Sequence, residues 1–156
     1  MIFMRESLMV IAKLNEKRVF DALNIIGEFY EKLKKLQKLD RVEFLADERN
    51  PAAAESFLRR AVEAIFDVGR HILSKGFAFK SLEYKEVAQT LGEKGIVDKA
   101  YAQVLIKMAG YRNRMVHFYK EIQPEELYDI LQNHLEDLLR FLDEIRRFLK
   151  KTQKPL

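Results

Sequence analysis

Apolar residues recur every three or four positions along most of this chain, which is the spacing of one face of an α-helix. The pattern predicts helices from about Leu14 to Leu39, from about Ala52 to Ser74, after Ser81, from about Val97 onward, and after Pro124. The last of these carries a bundle seam at Leu131, Leu135, Leu138, Leu142, Ile145 and Leu149. We therefore predict an all-α fold, an antiparallel helical bundle of about five helices.

Proline, glycine and polar residues separate the predicted helices. Pro51 suits the first turn of a helix, where a missing N–H costs little, and Gly76 is expected to form a left-handed cap. Nothing repeats at a longer fixed period, and no low-complexity linker divides the 156 residues. We therefore predict a single domain over residues 1–156.

Composition adds few constraints on function. The sequence has no cysteine, which excludes disulfides and thiolate metal sites and makes a cytoplasmic location the simplest expectation. No run approaches the roughly 18 apolar residues of a membrane span. Arg5 and Glu6 interrupt the apolar N-terminus, which argues against a signal peptide. The net charge of +4 is compatible with nucleic-acid binding but does not require it.

The stretch "MAGYRNRMVHFYK", residues 108–120, breaks the apolar stripe of the fourth helix. Arg112 stands where an apolar residue is expected, Asn113 lies on the adjoining row, and His117 follows one turn later. Burying such groups costs several kcal/mol unless they are paired or hydrated. One interpretation is purely structural: Arg112 pairs with carbonyls or a buried acid, Asn113 caps a kink after Gly110, and His117 binds the helix end.

The other interpretation takes these residues together, with Tyr119 nearby, as a compact polar site. A permanent cation suits a phosphate, and an imidazole titrates near neutral pH and can move protons. This set suits phosphodiester chemistry without a metal, in which the substrate supplies the nucleophile, as RNA does with its 2′-hydroxyl. On one ideal helix, however, Arg112 and His117 diverge by roughly 140°. A twofold dimer would bring two copies of each around one cleft.

Familiar metal and nucleotide motifs are missing. There is no Glu-x-x-His pair, no His-Glu-x-x-His helix and no Gly-rich phosphate loop, so we predict no metal site and no cofactor. Glu63, Asp67 and His71 line up at intervals of four, but Asp67 points away from the apolar stripe, and we interpret the three as a solvated helix face. His134 flanks the last seam and is interpreted as a boundary or partner-facing histidine.

The segment "RNRMVHFY" has the pattern Arg-x4-His-x-Tyr and resembles the HEPN superfamily, specifically the HepT toxin family of HepT–MntA toxin–antitoxin pairs. The resemblance extends to "EFLADERNPAAAESFLRRAVEAIFDVGRHIL" and "YKEVAQTLGEKGIV", which precede the motif in the family's order. Residues 1–13 fall outside the resemblance and are interpreted as an added N-terminal arm.

The resemblance implies an all-helical homodimer with metal-independent endoribonuclease activity. It also implies a partner, a minimal nucleotidyltransferase antitoxin that adenylylates Tyr119. Arg112 and His117 become the catalytic pair, and Asn113 becomes a supporting polar residue. Two other readings stay open: a non-catalytic helical dimer that binds nucleotide or nucleic acid or docks a nucleotidyltransferase, and a purely structural dimer.

Overall fold

A computed structural model describes residues 14–81, 83–117 and 121–153. In this part of the chain there are seven α-helices and no strand, which confirms the predicted all-α class. The helices are α1 (Glu16–Gln37), α2 (Arg41–Ala46), α3 (Arg49–Phe77), α4 (Tyr84–Glu93), α5 (Lys99–Val116), α6 (Pro124–His134) and α7 (Glu136–Gln153). None of these described helices is long and apolar enough to cross a membrane.

The helical segments number seven rather than the predicted five, for two local reasons. In α2 the Asp40 side chain accepts a hydrogen bond from the Glu43 N–H, and the Glu43 side chain caps the Asp40 N–H in return. This capping box stabilises a helix of six residues, which is too short to show a clear apolar period. The second reason is that the last predicted helix is interrupted at Leu135, although its apolar seam continues on both sides.

The long helices bury the stripes that the sequence predicts. In α1 the buried residues are Val19, Leu23, Ile26, Tyr30 and Leu33. The Asn15 side chain begins this helix by accepting a hydrogen bond from the Arg18 N–H at 3.1 Å. Pro51 lies in the first turn of α3, as predicted.

The predicted left-handed cap at Gly76 is wrong. Gly76 lies inside α3, and Ala78 takes the left-handed conformation with φ of 51°. Phe77 and Phe79 both pack against the core, so α3 continues past the glycine. Burial of the two aromatic rings offsets the roughly 1–2 kcal/mol that a left-handed conformation costs an alanine.

Glycines allow α4 to pack closely between α3 and α5. A Cβ on Gly69 of α3 would lie 2.9 Å from Leu91 Cδ1, and a Cβ on Gly92 would lie 2.7 Å from Ala102 Cβ. Gly92 near the end of α4 therefore meets Ala102 near the start of α5, so the two helices run antiparallel. The start of α4 also meets the end of α5, where Tyr84 contacts Arg112.

Candidate active site

Arg112 is half-buried and has two kinds of partner. Its guanidinium carbon lies 4.7 Å from the centroid of the Tyr84 ring, and its Nε lies 3.6 Å from Glu63 Oε1. The Nε is buried and makes no hydrogen bond within the described residues, since 3.6 Å is an electrostatic contact and not a hydrogen bond. The break in the apolar stripe is thus accommodated by an aromatic ring and a carboxylate from two other helices.

Tyr84 is the first residue of α4 and organises the cluster around Arg112. Its ring is stacked on Phe66 of α3 at 4.4 Å between centroids, with an angle of 6° between the planes. The guanidinium carbon of Arg70 lies 4.5 Å from the same Tyr84 centroid. No local pattern in the sequence indicates that α3, α4 and α5 converge on the ring of Tyr84.

Glu63 connects Arg112 to a row of charges along α3. Its Oε1 lies 3.6 Å from Arg59 NH1 as well as near Arg112, and Arg59 Nε lies 3.5 Å from Glu55. The side chain of Glu63 is 32% exposed, so the carboxylate is partly shielded from water. Such shielding strengthens its hold on the arginine relative to an exposed pair. This carboxylate was not predicted as part of the site.

The predicted solvated face of Glu63, Asp67 and His71 is wrong for two of its members. Asp67 is exposed, but Glu63 pairs with arginines and His71 is buried. The Asn15 N–H donates to His71 Nε2 at 3.1 Å, and burial lowers the pKa of His71, so the ring acts as a neutral acceptor. The reason is that the start of α1 covers this end of α3, which the periodicity of α3 alone does not reveal.

The end of α5 is fixed by an ion pair to the next helix. Arg114 NH1 and NH2 donate to the two carboxylate oxygens of Glu126, each at 2.7 Å. These hydrogen bonds from Arg114 lower the pKa of Glu126. The last turn of α5 is therefore held against the first turn of α6, close to the motif histidine.

Asn113 and His117 also lie at this end of α5. Asn113 is exposed within the helix, and His117 is the exposed C-cap residue, with extended backbone at φ −105° and ψ 97°. Asn113 is therefore not the cap of a kink. Tyr119 lies outside the described residues. His134 is half-exposed at the end of α6, with Nδ1 3.6 Å from Asp137 Oδ2, which agrees with a boundary position.

The arrangement presents a supported cation, an amide and an imidazole near one end of one helix. Arg112 can place positive charge on a phosphate while Tyr84 and Glu63 restrict its movement. His117 is accessible to a substrate, as a proton-transfer group must be. Within the described residues no group of three or more His, Asp or Glu side chains could hold a metal ion.

Comparison with solved structures defines the class of fold. The chain superposes on the tri-AMPylated Shewanella oneidensis HEPN toxin in complex with MNT antitoxin, with a TM-score of 0.76. The identity is 23%, and the match covers 83% of this chain and 97% of that one. The fold is therefore that of a HEPN protein, as the resemblance predicted.

The family follows from the sequence comparison. Residues 26–145 match the Ribonuclease HepT-like family, and the chain belongs to it. A "tRNA nuclease HepT" from Aphanizomenon flos-aquae is 28% identical over 127 residues, 81% of this chain and 86% of that protein. An "mRNA nuclease HepT" from Shewanella oneidensis is 29% identical over 89 residues, which are 57% of this chain and 67% of that protein. The predicted HepT-like membership and the predicted class of enzyme are confirmed.

Proposed function

We propose that this chain is the endoribonuclease toxin of a toxin–antitoxin pair and that it cleaves RNA without a metal ion. The observation that carries the proposal is the placement of Arg112, half-buried against Tyr84 and Glu63 in the helix that ends at an exposed His117. Membership of the Ribonuclease HepT-like family supports it, as do relatives named as tRNA and mRNA nucleases. We further propose that residues 1–156 form one domain and that the protein acts in the cytoplasm.

In the proposed reaction the RNA provides its own nucleophile. The 2′-oxygen forms a bond to phosphorus while the bond from phosphorus to the 5′-oxygen breaks, which leaves a 2′,3′-cyclic phosphate and a 5′-hydroxyl. His117 acts as base toward the 2′-hydroxyl or as acid toward the departing 5′-oxygen, and Arg112 stabilises charge that develops on the phosphate. Asn113 is exposed beside Arg112 and supports the orientation of these groups.

The proposed active form is a twofold homodimer with α5 at its interface. Arg112 is directed against α3 and α4, whereas His117 stands exposed where α5 ends. A second copy of the chain would add its own Arg112 and His117 to a cleft shared by the two subunits. Light scattering at micromolar concentration should give the mass of a dimer. A monomer, or a dimer with the motifs on opposite outer surfaces, would contradict this assignment.

The central experiment incubates total RNA with the protein in the presence of a chelator and maps the ends of the cut RNA. His117→Ala and Arg112→Ala should each lower the rate on the order of 10²–10⁴-fold, the usual contribution of such groups. His134→Ala is the matched control, because it removes an exposed histidine outside the motif. Loss of activity with the chelator, or full activity of His117→Ala, would contradict the mechanism. RNA binding without cleavage would instead support a non-catalytic binding dimer.

The proposed partner is a minimal nucleotidyltransferase antitoxin that adenylylates Tyr119. Support comes from the structurally similar toxin, which is tri-AMPylated and bound to an MNT antitoxin. Each AMP would add a negative phosphate near a site meant for an RNA phosphate and would repel the substrate. Intact-mass measurement after co-expression should therefore show AMP-sized increments on the wild type. Tyr119→Phe should keep nuclease activity and escape silencing, and equal increments on that variant would contradict the assignment.

A further inference from the structure

A cavity of about 400 Å³ lies beside the Arg112 cluster, between the end of α3, residues 79–81 and α4. Its apolar lining comes from Leu73, Phe79 and Val87. Neither the proposed chemistry nor the motif uses this cavity. Its volume falls within the range of roughly 300–1,000 Å³ that is usual for small-molecule sites.

The polar lining of the cavity carries positive charge. Arg70 and Lys80 are both among the residues that line it, as is Ser74 of α3. The rim also includes Ser81, whose Oγ donates a hydrogen bond to Glu86 Oε2 at 2.9 Å. The Glu86 carboxylate is therefore hydrogen-bonded to the rim. An apolar lining with two cations beside it suits a planar, partly apolar group that carries a phosphate.

Arg70 connects this cavity to Arg112. The two guanidinium carbons lie 4.5 and 4.7 Å from the same Tyr84 ring centroid, so they cannot be further apart than the sum of these distances. A strand whose phosphate contacts Arg112 would therefore have its neighbouring nucleotide within reach of Arg70.

We propose that the cavity is a nucleotide subsite of the RNA path, which binds the base of a nucleotide next to the scissile phosphate. The base would pack on the half-buried Phe79, above the buried Leu73 and Val87, and its phosphate would face Arg70 and Lys80. This inference rests on the proposed ribonuclease function. It adds a specificity-determining element, because bases of different size would fill the cavity differently.

Two variants test the subsite without touching Arg112, Tyr84 or His117. Ser74→Leu fills the cavity and leaves the charge unchanged, whereas Lys80→Glu reverses one charge at the rim. Lys75→Glu is the matched control, since Lys75 is exposed in the last turn of α3 and does not line the cavity. KM and kcat are measured for each variant on RNA cleaved by the wild type.

Ser74→Leu should raise KM about tenfold, near the lower end of what the loss of one stacked base costs, with kcat little changed. Lys80→Glu should raise KM by a similar factor. It should also make the slope of log affinity against log salt concentration shallower, by about the amount that one phosphate contact contributes. Lys75→Glu should leave KM near the wild-type value. Equal KM values for Ser74→Leu and the wild type would overturn the proposed subsite. The proposed ribonuclease activity would not be affected by that result.

A binding measurement separates failure of the subsite from failure of the proposed function. Labelled RNA is titrated against chains that carry His117→Ala alone and together with Ser74→Leu, so that affinity is read without cleavage. Weaker binding of the double variant supports the subsite, and equal binding overturns it. AMP serves as the free-nucleotide probe. If Ser74→Leu abolished AMP binding but left RNA affinity unchanged, the cavity would be a free-nucleotide site and the RNA assignment would be wrong.

Discussion

Replacement of Tyr84 by leucine tests whether one ring both stabilises the fold and holds Arg112. Tyr84 is 8% exposed, and its ring contacts Phe66, Arg70 and Arg112 at 4.4, 4.5 and 4.7 Å. Leucine keeps apolar bulk but removes the ring. The lost aromatic pair is worth about 0.5–1.5 kcal/mol, and each lost cation–π contact about 0.5–2 kcal/mol. Because Arg112 is partly exposed, we expect Tyr84→Leu to lower the free energy of unfolding by about 3 kcal/mol.

Two control variants separate stability from function in this experiment. Tyr84→Phe keeps the ring and should stay within about 0.5 kcal/mol of the wild type in urea unfolding. Phe66→Leu removes the stacked ring but leaves both arginines on Tyr84, so it should lower stability and preserve kcat. Tyr84→Leu should lower kcat about tenfold at a temperature where it is fully folded, because Arg112 is less well positioned.

The outcome that refutes this reasoning is specific. If Tyr84→Leu and Tyr84→Phe unfold with equal free energies, the contacts with the two arginines contribute nothing to stability. If Tyr84→Leu is destabilised as expected but keeps the wild-type kcat, the position of Arg112 does not depend on the ring. In that case the Glu63 carboxylate would be the group that holds Arg112.

Two further predictions concern the packing of α5. Gly92→Ala should cost about 1–3 kcal/mol in urea unfolding because its Cβ would lie 2.7 Å from Ala102 Cβ, and adding Ala102→Gly should restore most of that loss. Failure of this rescue would contradict the close approach of α4 and α5. Glu126→Gln should lower stability by about 1 kcal/mol or less, because its pair with Arg114 is over one-third exposed. Because the pKa of Glu126 is lowered from its ordinary 4.5, its contribution is present above that pH and is lost as the pH falls through the folded-state value. If Glu126→Gln remains less stable than the wild type in strongly acidic solution, its ion pair with Arg114 is not the cause of the difference.

Local periodicity determined the helices and most of the core. The buried residues of α1 recur every three or four positions, and the seam of the last predicted helix is buried on both sides of Leu135. The same periodicity singled out Arg112, because a cation on an apolar stripe is visible without a structure. The order of residues after it, with His117 and Tyr119 at fixed intervals, indicated the HepT-like family together with the two sequence blocks that precede the motif.

Tertiary structure decided what surrounds these residues. The partners of Arg112 are Tyr84 and Glu63, which come from two other helices, and no pattern within α5 indicates either of them. His71 is buried because α1 covers it, although its own helix suggested a solvated face. The physical reason is that helical spacing depends on neighbours three or four positions away, whereas pairing of charges and rings depends on how separate helices pack.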